Sequence, residues 1–135
     1  MKLTKEQFLD LGPCQEAVAF AGAVHFDAVA AWKACGRGDW LIWLLRRTGQ
    51  LDKPTSVKIA VTCARHVLKL YEVKRPTDKR PRAAIAAAVR WLRQPTESNR
   101  AAAAAAYAAA DAGRASERGW QADAIRRIVR CPFTN

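Results

Sequence analysis

Histidine is nearly missing from this chain, carboxylates are outnumbered 12 to 23 by lysine and arginine, and none of the four cysteines stands in a C-x-x-C pair. Each scarcity excludes something. His25 and His66 are too few, and Cys14, Cys35, Cys63 and Cys131 too dispersed, to form a zinc site or a disulfide framework. In a reducing compartment such cysteines act as small buried apolar residues. No Gly-rich phosphate loop is present, so neither metal nor cofactor is expected. His25 lies near Asp27 and a turn or more before Cys35, which defines no nucleophile; His25 reads as a helix-entry residue. The carboxylates sit near bases at helical spacing, as Asp123 does before Arg127, and read as surface pairs rather than an acid/base couple. No catalytic residue is expected. Met1 to Asp10 lacks the apolar core of a signal peptide, and no apolar run is long enough to span a bilayer. A cytoplasmic protein without a membrane partner follows. Period-2 alternation of useful length is also missing, which removes β structure.

What remains is helix. The 135 residues suit one domain, and half of them are hydrophobic, with alanine supplying an unusual share. The expected fold is all-α: a compact single-domain bundle of about six to eight helices over 1–135, with an alanine-rich packing helix.

Residues 4–34 read as two or three short helices, with Thr4 and Glu6/Gln7 resembling a cap and Gly12-Pro13 a break. Phe26, Val29, Ala30 and Lys33 share a helical spacing, with Trp32 on a flank. Gly36-Arg37-Gly38 ends that helix, and Asp39 is placed to cap the next, an almost wholly apolar segment from Trp40 to Leu45 that should be central. Arg46-Arg47 suits its C-terminal dipole and Gly49 its end.

Asp52, Pro54 and Thr55 open a longer helix reaching about Glu72. Val57, Ala60, Val61, Ala64, Val67, Leu68 and Tyr71 make its inner face and Lys58, Thr62, Arg65 and Lys69 its basic face. After a polar connector, 82–93 returns to helix with Ile85, Ala88, Val89 and Leu92 inward, ended by Gln94-Pro95. Ser98 caps an alanine run, Ala101–Ala110 around Tyr107, broken at Gly113; a last helix spans Trp120–Arg130 with Arg126, Arg127 and Arg130 exposed.

Two constellations stand out. Three tryptophans fall within the twelve residues from Trp32 to Trp43. One reading is an exposed recognition site rimmed by Arg37 and Asp39, since Trp and Arg are typical interface anchors. The stronger is a structural corner whose rings fill the core. The second constellation is basic. Eight cations face six carboxylates up to residue 64, and fifteen face six beyond it. Lys79, Arg82, Arg90 and Arg93 point within about one 80° arc if helical geometry reaches back to Lys79. With Lys58, Arg65 and Lys69 they give two stripes, which would merge if the helices are antiparallel neighbours. Such a patch suits a phosphate backbone or an acidic protein, and equally a solvated face. Trp91 lies on another face, so base stacking is not indicated.

The run Ala31-Trp32-Lys33-Ala34-Cys35-Gly36-Arg37-Gly38-Asp39-Trp40-Leu41-Ile42-Trp43-Leu44-Leu45 resembles the signature of the fifth numbered immunity protein family of bacterial polymorphic toxin systems, which also occurs in phage genomes. Arg80 to Ile85, Trp91, the alanine-rich segment through Tyr107, and Gln121 to Arg130 are also similar. The resemblance implies an all-α cytosolic protein that binds a toxin or other effector and blocks it without catalysis. Trp32, Cys35, Arg37, Asp39, Trp40 and Trp43 would then be a shared structural centre or a shared contact surface. The basic charge argues against mimicry of nucleic acid and suits an acidic partner surface. A nucleic-acid-binding accessory, such as a phage counter-defence protein, is the alternative.

Overall fold

A computed structural model describes residues 1–96 and 117–135. Within them the chain forms seven α-helices and no strand, as the sequence pattern requires. These are α1 (Lys5–Asp10), α2 (Gln15–Ala23), α3 (Ala28–Ala34), α4 (Gly38–Arg47), α5 (Lys53–Lys74), α6 (Arg80–Arg93) and α7 (Arg118–Ile128). The Ser98 cap, the alanine run Ala101–Ala110 and the break at Gly113 lie outside the described residues. None of the described helices is long and apolar enough to cross a membrane.

Local chemistry explains most boundaries. Thr4 and Gln7 form a reciprocal capping box, each side chain meeting the other's backbone N–H. The α4 terminus closes as a Schellman turn. Gly49 adopts φ +69°, its N–H donates to the Arg46 carbonyl, and Gln50 N–H donates to Leu45. Asp52 accepts from Thr55 N–H at 2.7 Å and starts α5, with Pro54 in the first turn where its missing N–H costs nothing. The Thr55 hydroxyl, and then that backbone bond, hold the Asp52 carboxyl below its ordinary range.

Several expectations need correction. His25 does not open a helix: it and Phe26 occupy the left-handed region, at φ 55° and 58°, in the turn between α2 and α3. The cap of α3 is Asp27, whose Oδ1 accepts from Ala30 N–H at 2.9 Å. Asp39 does not cap α4, because the helix starts at Gly38 and leaves Asp39 in its first turn. The sixth helix begins at Arg80, two residues early, since Pro81 is tolerated in a first turn.

The chain divides into two units. The first comprises Met1–Leu51 and Gly119–Asn135. Here α4 touches three other helices: Trp43 meets Phe8 of α1 edge-on at 6.4 Å, Trp40 meets Phe20 of α2 at 5.9 Å, and Gly38 abuts α7. Its inward residues are Leu41 and Leu45, the latter fully buried. The second unit is Asp52–Arg118. Its described part is the α5–α6 hairpin, joined by a five-residue connector, together with Glu117, which pairs with His66 of α5, and Arg118. Val57, Val61 and Ala64 of α5 pack with Ile85, Ala88 and Trp91 of α6, and Leu68, Val89 and Leu92 extend the cluster. Ile59 and Cys63 are also buried, so the apolar arc of α5 is wider than its spacing suggested.

The connector is held by Asp78, which accepts from the Tyr71 hydroxyl at 2.6 Å and from the Arg80 guanidinium at 2.7 and 2.9 Å. Arg80 and Tyr71 together keep the Asp78 carboxyl well below the usual carboxylate range.

Ala88 has no solvent exposure, so its small side chain sets how near α6 approaches α5. Ala88→Leu should overpack this seam and lower stability by roughly 1–3 kcal/mol. Ala86→Leu, on an exposed position of the same helix, should stay within about 0.5 kcal/mol. Urea unfolding of the two variants checks the contrast.

Candidate functional site

Between α3 and α4 the chain turns a corner in three residues, and the six motif residues end in two different environments. Trp32 and Cys35 are buried, at 3% and 4% exposure. Trp32 therefore faces inward rather than lying on a flank; its ring meets Phe133 at 6.1 Å. The Cys35 thiol donates to the Arg37 carbonyl at 3.4 Å, and burial pushes its pKa up.

Arg37, Asp39, Trp40 and Trp43 are half-buried. The Arg37 guanidinium makes a two-pronged contact with Asp39, Nε to Oδ1 at 3.1 Å and Nη2 to Oδ2 at 2.6 Å. Its Nη1 donates to Glu16 of α2 at 3.3 Å, and the plane lies over the Trp40 ring, 4.4 Å from the centroid. Asp39 thus performs two tasks from the first turn of α4: it favours the positive end of the helix and fixes Arg37 above Trp40. The result is a cation–aromatic pair held from three sides yet partly open to solvent.

A helix ends with carbonyls that have no donor of its own, and burial makes that costly. The corner solves this with a residue from the far end of the sequence. Arg126 Nη1 donates to the Trp32 carbonyl at 3.1 Å and the Cys35 carbonyl at 2.7 Å, while Nη2 holds Asp123 at 2.6 Å. Arg126 is therefore half-buried, not exposed, and Asp123 pairs with it rather than with Arg127. Sequence spacing offered no sign of this, because the contact spans 91 to 94 residues.

Glycine permits the approach. A Cβ on Gly38 would lie 2.7 Å from Gln121 Cβ and 3.0 Å from Ala122 N, inside contact distance. Gly36, two residues earlier, has open space around it and no positive φ.

The basic residues lie apart from this corner in sequence, all on the α5–α6 hairpin. Lys58, Arg65, Lys69, Lys79, Arg82, Arg90 and Arg93 are all exposed. Arg82 pairs across the hairpin with Glu72 of α5, Nε to Oε2 at 3.1 Å, which lowers the pKa of Glu72. No three acidic, cysteine or histidine side chains among the described residues are grouped to hold a metal ion.

A family model described as "Imm-5 like putative immunity protein" matches residues 46–129, more than half of the chain. The matched segment takes in Arg80 to Ile85, Trp91 and most of Gln121 to Arg130. It starts at Arg46, after the tryptophan-rich run. No match was found among curated proteins or solved structures.

The corner can be tested at its glycines. Gly38→Ala should destabilise the protein by roughly 1–3 kcal/mol, as overpacking against a backbone does. Gly36→Ala should be neutral or stabilising by up to about 1 kcal/mol, because it only narrows the unfolded ensemble. Thermal unfolding followed by circular dichroism measures both.

Proposed function

Because the chain belongs to the Imm-5 like immunity protein family, we propose that it is a non-catalytic cytosolic inhibitor that binds a protein toxin or related effector and blocks it. The family match is the observation that carries this reading. A toxin acting inside the cell must be met there, and four dispersed cysteines suit a reducing compartment.

The contact surface we assign is the half-exposed part of the corner, Arg37 and Trp40 with Asp39 and Trp43 at their side. Support comes from how little ordering these groups need on binding. Arg37 is already clamped by Asp39 and Glu16, and Trp40 is already packed against Phe20. Preorganised Trp and Arg side chains are the usual anchors of tight interfaces, since their ordering cost is met during folding. Trp32 and Cys35, being buried, take the supporting role and hold the corner in shape.

Co-expression with the product of the adjacent gene tests the proposal. The wild-type chain should restore growth to cells poisoned by that product and form a complex with it. Trp40→Ala should weaken that complex by about 2 kcal/mol or more, some 30-fold, with helicity retained. Failure of the wild-type chain to relieve toxicity overturns the proposal, and an unchanged affinity of Trp40→Ala overturns the assigned surface.

A further inference from the structure

The α5–α6 hairpin carries a feature that inhibition of a protein does not require. Taking about 100° per residue, Lys58, Arg65 and Lys69 lie within about 40° of one another on α5, roughly a quarter-turn from the face that meets α6. On α6, Arg82 and Arg93 lie about a third of a turn from the face that meets α5, in the same rotational sense, Arg90 lies further round towards the far side, and Lys79 is the residue that precedes the helix. Two packed helices joined by a short connector run antiparallel, and an equal sense of displacement then brings both stripes to one side of the pair. The Glu72–Arg82 ion pair bridges the helices on that side, which ties the two arcs together.

Lys58, Arg65, Lys69, Arg82 and Arg93 thus share one side of the hairpin, with Arg90 and Lys79 at its edge. Six of them, Lys58, Arg65, Lys69, Lys79, Arg90 and Arg93, form no ion pair with any described residue. The stripes, Lys58 to Lys69 on α5 and Arg82 to Arg93 on α6, are each about 17 Å long at 1.5 Å per residue.

The composition between the cations identifies the partner class. A protein epitope needs apolar or aromatic anchors at its centre. Here the intervening positions are Thr62, Ala83 and Ala86, Trp91 is turned away and 8% exposed, and the exposed Leu70 and Val73 come past Lys69 at the end of α5 rather than between the cations. Phosphate contacts need cations and nothing apolar, and carry no sequence information. We propose that this face binds the phosphate backbone of duplex nucleic acid, without sequence preference, as an activity separate from the tryptophan corner.

A fluorescent 20-base-pair DNA duplex of arbitrary sequence is the probe, with anisotropy read between 50 and 200 mM salt. Six phosphate contacts predict a slope of log affinity on log salt near −5, or about a thousandfold loss over that range. Replacing Arg65, Arg90, Arg93 and Lys69 together by Ala, the residue of highest helix propensity, should keep the helices and bring the slope to about −2. A control removes equal charge from exposed positions elsewhere, by Lys2→Ala, Lys33→Ala, Arg46→Ala and Arg130→Ala, and should leave affinity within a few fold. Absence of duplex binding by the wild-type protein at 50 mM salt overturns the proposal, as does an equal loss in both variants. Tighter binding to poly-glutamate or to vesicles of anionic lipid than to the duplex overturns it as well, and reassigns the face to an acidic protein or a membrane.

Discussion

The last carbonyls of α3 point into the protein with no helix left to supply their donors, and one guanidinium from α7 takes them. Arg126 can reach Trp32 and Cys35 only because Gly38 lets α7 come closer than any side chain would allow. These two facts depend on each other. Close backbone approach without Arg126 would bury polar atoms unpaired, and Arg126 without the approach would fall short of its acceptors. With both, Trp32 is sealed against Phe133, α4 starts where Arg37 can be clamped by Asp39, and Trp40 receives the guanidinium on its face. Buried and half-exposed members of one short motif then serve different ends. Trp32 and Cys35 shape the corner, while Arg37 and Trp40 are presented by it.

The hairpin of α5 and α6 rests on a different device. Small residues, Ala64 and Ala88, set the distance between the helices, and the larger Val57, Ile85 and Trp91 fill what is left. An apolar seam of this kind makes no demand on the opposite faces, so cations can accumulate there at little structural cost. Exposed like charges repel one another, however, and the ion pairs of Arg82 with Glu72 and Arg80 with Asp78 relieve only part of that repulsion. A polyanion would relieve the rest.

Much of the fold was legible in the sequence, and the reasons are local. Thr4, Gly49, Asp52 and Pro54 act on backbone atoms within four residues of themselves, so their types and spacing foretold the ends of α1, α4 and α5. On α6, Ile85 and Ala88 followed from periodicity, whereas Ala87 and Trp91 are also buried and were not expected inward, and Val89 and Leu92 are only partly buried. What escaped was set by tertiary contact. Asp39 looked like a cap because capping is its commonest local use, but the fit of Gly38 against Ala122 and Gln121 starts the helix earlier and frees Asp39 for Arg37. Arg126 looked exposed because a helical wheel gives no account of acceptors 91 residues away. Phe133, beyond the last helix and outside any periodic pattern, gave no signal at all. Which residues of the tryptophan-rich run are buried and which are half-exposed was not legible, because tertiary contact with α7 and Phe133 decides it. The resemblance was read mainly from the tryptophan run, whereas the family match covers the segment that follows it.

The central claim is that α7 and the corner before α4 form one cooperative structure. Native-state hydrogen exchange under increasing denaturant tests it directly, by comparing the amides of Ala122 to Ile125 with those of Leu41 to Leu45. The two sets should lose protection together, with one opening free energy and one denaturant dependence. Exchange of the α7 amides at a much lower opening free energy, with α4 still protected, would contradict the account.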